Sequence, residues 1–235
     1  MFSIIIPTMF KSDTIWRTIM DLSRVDIVGE IILIDNTNNT KPYKVDKLNH
    51  VLNGTNIFVN PAWNKGVQLS SFESICLLND DIWFDWEKLV DIENFLDTET
   101  SFIGMHPWNF DDNLAENEII GLHKTTPDYD PRSSRGRRPE KWGSCIFFNK
   151  ENWDPIPDDL KIWAGDDWLF YRSKKRNWCL SGLRCYGTHS KTIESMDVKK
   201  IIETDMMNMH SYIKKGMCDN YLLGTIWDKE NIPIN

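Results

Sequence analysis

Three short stretches of this chain are apolar almost without interruption: FSIIIPT at 2–8, GEIILIDN at 29–36 and SICLL at 74–78. Each stops abruptly in polar residues. Runs of this length, rich in β-branched side chains, suit strands covered on both faces, which points to a largely parallel sheet. Between them lie segments with helical spacing of apolar residues, TIWRTIMDLSRV and then PAWNKGVQLSSF, the latter with Pro61 near its start. NIFVN at 56–60 reads as a further strand. The first eighty residues therefore carry the βαβαβ rhythm of a doubly wound α/β sheet.

Ligands of such sheets lie in the crevice beyond the carboxyl ends of the strands. The strand tips expected there are Thr8, Asp35 with Asn36, Asn60, and Asn79 to Asp81. Asp80 and Asp81 are adjacent carboxylates that repel each other and gain nothing from packing, so a ligand or a cation is expected beside them.

Further along, DWEKLVDIENFLDTE at 85–99 reads as a helix and SFIGMHPW as a strand. Residues 109–140 are polar and turn-rich, and PRSSRGRRPEK at 131–141 holds five basic residues, Arg132, Arg135, Arg137, Arg138 and Lys141. WGSCIFFN reads as a strand, DDWLFYRSKKRNW as a helix, and CLSGLRCYGTH as a strand ending in His189. From about residue 192 helical spacing returns at Ile193, Met196, Ile201, Met206, Met209 and Ile213. No repeat and no linker divides the chain, so residues 1–235 are expected to form one domain.

Composition narrows the class. Hydrophobic residues at 41% and charged residues at 26% are ordinary for a globular protein. A net charge of -8 argues against coating nucleic acid by an overall field. The five Cys form no CxxC pair and sit mostly in apolar runs, as reduced buried thiols of a cytoplasmic protein do. No apolar stretch approaches the roughly 20 residues that cross a bilayer, and MFSIIIPT lacks the basic front of a signal peptide.

In order, SIIIPT, EIILIDN, NPAWNKG, LLNDD, WGSCIFF, AGDDWLFYR and YGTH resemble the motifs of the family-2 glycosyltransferases, over residues 3–189. The resemblance implies the GT-A (nucleotide-diphospho-sugar transferase) fold, a Rossmann-like mixed and mainly parallel sheet with helices on both faces. It assigns residues 1–100 to a nucleotide-sugar-binding half, 101–190 to an acceptor half and 191–235 to a helical tail. The implied activity is metal-dependent, inverting transfer of one hexose or pentose from a nucleoside-diphosphate sugar to a hydroxyl acceptor. The acceptor would be a saccharide or glycan by family default, or a modified DNA base reached through the Arg-rich loop.

Residue by residue, the resemblance places Mn²⁺ or Mg²⁺ on Asp81 and His189. The metal slot reads Asn79-Asp80-Asp81, so only the last acid matches, and Asp80 falls to the nucleotide-sugar surround together with Pro7, Thr8, Asp35 and Asn64. Asp167 matches the general base and Asp166 its acceptor-orienting neighbour. The basic cluster, Arg132, Arg135, Arg137 and Arg138, together with Trp142, would bind acceptor or phosphate, since guanidinium groups fork onto phosphates and sugars stack on aromatic faces. Trp63 replaces the family's usual Arg, and the Gln-x-x-Arg-Trp signature of processive synthases is absent, which favours a single transfer.

Each motif also has a plain structural explanation. Asn79 or Asp80 could cap a following helix, the 166–167 acids could start one, strand-end residues could simply turn the chain, and the basic cluster could be a solvated loop. Two other functions stay open: a nucleotidyltransferase, disfavoured by the lack of a Gly-rich loop after the first strand, and a non-catalytic sugar-nucleotide binding module.

Overall fold

The computed structural model describes residues 1–111, 119–124, 138–187 and 196–218. Strand β1 (Phe2–Thr8) is buried along its whole length. Its alternate side chains serve two cores: Ile4 and Ile6 pack on one face and Ile5 on the other. Helix α1 (Ile15–Arg24) lays Ile15, Thr18, Ile19 and Leu22, one helical stripe, against the first of these cores. Strand β2 (Val28–Asp35) follows and pairs in parallel with β1, Thr8 opposite Asp35.

The third strand is β3 (Leu48–Leu52), parallel to β2 with Leu52 opposite Asp35, and the expected strand at 56–60 is absent. Phe58 instead takes φ 69° and ψ 176°, where its N–H reaches Asn56 Oδ1 and the chain turns into α2 (Val59–Leu69). Asn60 is accordingly in the first turn of a helix and not at a strand tip. Gly66 lets α2 lie against β1, because a Cβ there would fall 2.2 Å from Ile5 Cγ2.

Strand β4 (Ser74–Leu78) returns to the centre beside β1, and a short β5 (Ile82–Trp83) follows the acidic tip. The helix expected over 85–99 shrinks to a 3-10 turn at Trp86–Lys88, capped by Asp85, and α3 (Leu89–Glu93). The chain then crosses to β6 (Thr100–Met105) and, in a segment read as turn-rich, to an edge strand β7 (Gly121–Lys124). Strand β8 (Cys145–Asn149) comes after a 3-10 turn at Trp142–Ser144. Helix α4 (Gly165–Arg172) ends earlier than its apolar pattern suggested, because Asn177 Nδ2 bonds back to Phe170 O and releases the next residues into β9 (Arg176–Ser181). A two-residue β10 (Tyr186–Gly187) pairs with β5, and α5 (Met196–Lys214) closes the described chain.

Among the described residues the main sheet has eight strands in the order β3-β2-β1-β4-β8-β6-β9-β7. Its β3 to β4 portion is wholly parallel, while β8 runs antiparallel to both β4 and β6. Residues of α1 and α3 join the core on one face, and those of α2, α4 and α5 the core on the other. All five Cys are buried and none is in a disulfide, and no described helix is long and apolar enough to cross a membrane.

Candidate functional site

The parallel strands bring Thr8, Asp35 and the 79–81 tip to one edge. Thr8 Oγ1 donates to Asp80 Oδ2 at 2.6 Å and accepts from Phe10 N at 2.8 Å. Its hydroxyl thus ties the ends of β1 and β4 together. Burial pushes the Asp80 carboxyl above the ordinary range, against the Thr8 hydroxyl and backbone N–H groups that favour its ionised form. Asp81, half-buried, immediately precedes β5, whose Ile82 lies opposite Gly187. His189, two residues beyond Gly187, lies outside the described residues, as do Arg132, Arg135 and Arg137.

No cluster of three His, Cys, Asp or Glu suited to a metal occurs among the described residues. The donor set at the tip nevertheless fits a hard divalent ion, since Mg²⁺ and Mn²⁺ are commonly held by one or two carboxylates plus substrate phosphates.

Asp35 is fully buried and its carboxylate is occupied from within. Oδ1 accepts from Thr37 N at 2.8 Å and Thr37 Oγ1 at 2.6 Å; Oδ2 faces Asn39 Nδ2 and His50 Nε2, each at 3.0 Å. Burial alone would raise its pKa, but these bonds outweigh it and the carboxyl is held below the ordinary value. Tyr43 N donates to His50 Nδ1 at 2.9 Å, so the ring carries its proton on Nε2, aimed at Asp35. Asp35 therefore anchors a loop, and what that loop presents is aromatic. Tyr43 stacks on His50 with centroids 5.3 Å apart, meets Trp16 at 4.3 Å, and remains 48% exposed, with Phe10 beside it. No local sequence pattern singles out this group, because Phe10, Trp16, Tyr43 and His50 are scattered over four segments.

The second acidic centre is at the start of α4. Ala164 caps the helix in the left-handed conformation, φ 59°, and puts Asp166 and Asp167 in the first turn, where the helix dipole favours negative charge. Arg138 forks onto the pair: Nη2 is 2.9 Å from Asp166 Oδ2 and Nε 3.1 Å from Asp167 Oδ1. Burial works against the guanidinium's charge, and the two acids more than restore it, raising its pKa. Asp166 is pushed up to about 6 by burial, with Arg138 opposing. Gly143 makes room for this arrangement, since a Cβ there would fall 1.9 Å from Asp166 Oδ2.

The two centres meet through one turn. Asn79 N donates to Ser144 O at 3.2 Å, while Gly143, its neighbour, packs on Asp166. Lys141, φ 64°, opens this turn in the left-handed region, and the Ser144 hydroxyl donates to Lys141 O at 2.5 Å. Among the described residues five non-glycine positions have positive φ, and four of them (Phe10, Phe58, Lys141 and Ala164) flank the elements just described. Strain held at one edge by surrounding structure is a common mark of a functional site.

Several expected site residues have other work. Asn64 bonds the backbone of Ile156, donating to its O at 2.7 Å and accepting from its N at 2.9 Å, and so pins α2 to the segment before α4. Trp142 is 0% exposed, packs over Gly104 and donates its indole N–H to Trp178 O, so it is a core residue and not a sugar platform. Trp168 is buried as well, whereas Trp163 is 42% exposed. Arg138 is engaged by the carboxylates of Asp166 and Asp167. Pro7 is buried within β1.

No protein-family model matches this chain, and no curated protein matches it by sequence. Solved structures do. The chain is similar to Staphylococcus aureus TarS 1-349 in complex with UDP, with a TM-score of 0.57 and 15% identity, over 97% of this chain and 73% of that one. The complex of the same protein with UDP-GlcNAc gives 0.55 and 16%, over 85% and 64%. A mannosyltransferase from Pyrobaculum calidifontis in complex with GDP-Man and Mn²⁺ gives 0.50 and 11%, over 75% and 53%. The shared architecture is the GT-A glycosyltransferase fold.

Proposed function

We propose that this chain, built on the GT-A glycosyltransferase fold, transfers a single hexose or pentose from a nucleoside-diphosphate sugar to a hydroxyl acceptor with inversion. The observation that carries this is the pairing of two acidic centres across the 141–144 turn, one at the tip of β4 and one forked by Arg138. In support, solved structures of this fold are complexes with UDP, UDP-GlcNAc and GDP-Man with Mn²⁺.

Residues 1–100 would hold the donor. The nucleoside lies on the Tyr43, Trp16 and Phe10 surface, with Asp35 and His50 setting the loop beneath it. Asp81, helped by His189 and with Asp80 alongside, would hold the divalent ion, Mn²⁺ or Mg²⁺, which when bound neutralises the diphosphate. Residues 101–190 would receive the acceptor and 191–235 brace it, all as one domain working in the cytoplasm.

Asp167 is the general base. Arg138 engages its Oδ1, and Oδ2 is the atom assigned to the acceptor proton. As that proton passes to Asp167, the acceptor oxygen bonds to the anomeric carbon from the face opposite the diphosphate, the carbon–oxygen bond to the diphosphate breaks, and the nucleoside diphosphate leaves with the electron pair. Asp166 keeps Arg138 in place.

A panel of nucleotide sugars with Mn²⁺, assayed for slow donor hydrolysis, tests the proposal. One donor should be cleaved, and Asp81→Asn should abolish the metal response. If no donor is bound or cleaved with or without metal, the proposal fails.

A further inference from the structure

A small, open cleft lies against Asp167, between α4 and α5. Its lining is Trp163, Ala164, Asp167, Tyr171, Met206, Met209 and Ile213. Asp167 and Tyr171 are the titratable residues of the lining, and the Tyr171 hydroxyl accepts from Arg138 N at 3.4 Å. Apart from Trp163, the remainder is aliphatic or thioether. On α5, Met206, Met209 and Ile213 recur at three- and four-residue spacing, one stripe of the helix.

The cleft is built and not left over from loose packing. Asp205 of α5, 0% exposed, accepts the backbone N–H groups of Lys161, Ile162 and Trp163 at 3.0, 2.7 and 2.8 Å. Asn208 Nδ2 donates to Asp159 O at 2.9 Å, and Tyr212 donates its hydroxyl to Asp159 Oδ1 at 2.7 Å. A buried carboxylate thus clamps the Trp163 wall to the helix that carries the methionines, and keeps the walls apart at a set spacing. Small-molecule sites are concave and mostly apolar, with a few convergent polar groups, and this lining has that composition.

The lining also selects its occupant. A saccharide brings several hydroxyls, and each one buried here without a partner costs about 1–3 kcal/mol. A flat apolar ring finds aromatic edges and the polarizable sulfurs of two methionines, which adapt to ring faces and edges. Resting on the glycosyltransferase reading above, we infer that this cleft is the acceptor subsite, and that it takes an acceptor whose hydroxyl is carried on, or directly beside, an aromatic or apolar ring, with the ring between Trp163 and α5 and the hydroxyl at Asp167. The acceptor class is therefore an aryl carbinol or an aryl-bearing glycoside, and not a plain saccharide chain.

Benzyl alcohol and methyl glucoside are the two probes, read by saturation-transfer NMR on the full chain. Benzyl alcohol ring protons should receive saturation and methyl glucoside should receive none. Met206→Glu, at a position 38% exposed where a charge is tolerated on a helix, should weaken the ring signal about tenfold by placing a second carboxylate in the lining, while Met206→Leu keeps it. Ile213→Glu repeats the test from the other end of the stripe, with circular dichroism confirming that each variant folds. No ring saturation, a signal undiminished in both Glu variants, or methyl glucoside held as well as benzyl alcohol would each overturn the inference. Donor hydrolysis by the unaltered chain is scored separately. Its absence sinks the transfer chemistry and leaves the cleft, whereas absent ring saturation sinks the cleft and leaves the transfer chemistry.

Discussion

Two pairs of adjacent aspartates, Asp80-Asp81 and Asp166-Asp167, look alike in sequence and are opposites in structure. The first ends a buried strand, with one acid accepting from a neutral hydroxyl and raised by burial. The second opens a helix and is forked by a guanidinium that the chain itself provides. Like charges can be accommodated by an outside cation or by an inside one. In the second pair the cation is Arg138, built into the chain; for the first pair the proposed function assigns that role to a divalent ion.

The sharpest way to break the comparison is Asp167→Asn, which should lower transfer about 10²–10⁴-fold with donor affinity retained, read as kcat against the donor Kd. If the two centres act as assigned, Asp81→Asn or chelation should do the converse, weakening donor binding while the acid limb of the pH profile stays where it was.

Arg138→Gln comes next. The Asp166 carboxyl, at about 6, takes up a proton as pH falls through that value and then no longer holds Nη2, which loosens the fork on Asp167. Activity should fall below pH about 6. Removing the cation takes away what opposes protonation, so the acid limb should move to higher pH in the variant. An unmoved limb would mean that the fork is structural only.

Smaller effects separate scaffold from site. Asn64→Ala should cost about 1–3 kcal/mol of stability in urea unfolding, from the two bonds lost to Ile156, with donor KM unchanged. Tyr43→Ala should leave stability within about 1 kcal/mol and raise donor KM, because Tyr43 is half-exposed beside the site and carries little of the core. Equal behaviour of these two variants would contradict the division.

Much of the fold was legible because strand and helix periodicity is local. The apolar runs at 2–8, 29–36 and 74–78 became β1, β2 and β4, and Thr8, Asp35 and the 79–81 tip reached one edge as parallel pairing requires. NIFVN misled because β propensity in five residues is overridden by one backbone turn at Phe58, while the polar-looking LNHVL finds its place by pairing with β2. RNW ran on from a helical pattern until Asn177 closed the helix and β6 offered a partner strand. In the site, residue types at strand tips were readable, but their partners were not: Arg138 is 29 residues from Asp167, and Ile156 is 92 from Asn64.

By itself the sequence determined the layered α/β architecture and the delivery of acids to one edge, because alternation, caps and turns act between near neighbours. Only the tertiary structure decided which carboxylates are neutralised, which tryptophans are core, and that an apolar cleft clamped by Asp205 adjoins Asp167. Those depend on burial and on side chains far apart in sequence, where a desolvated charge must find its partner across the fold.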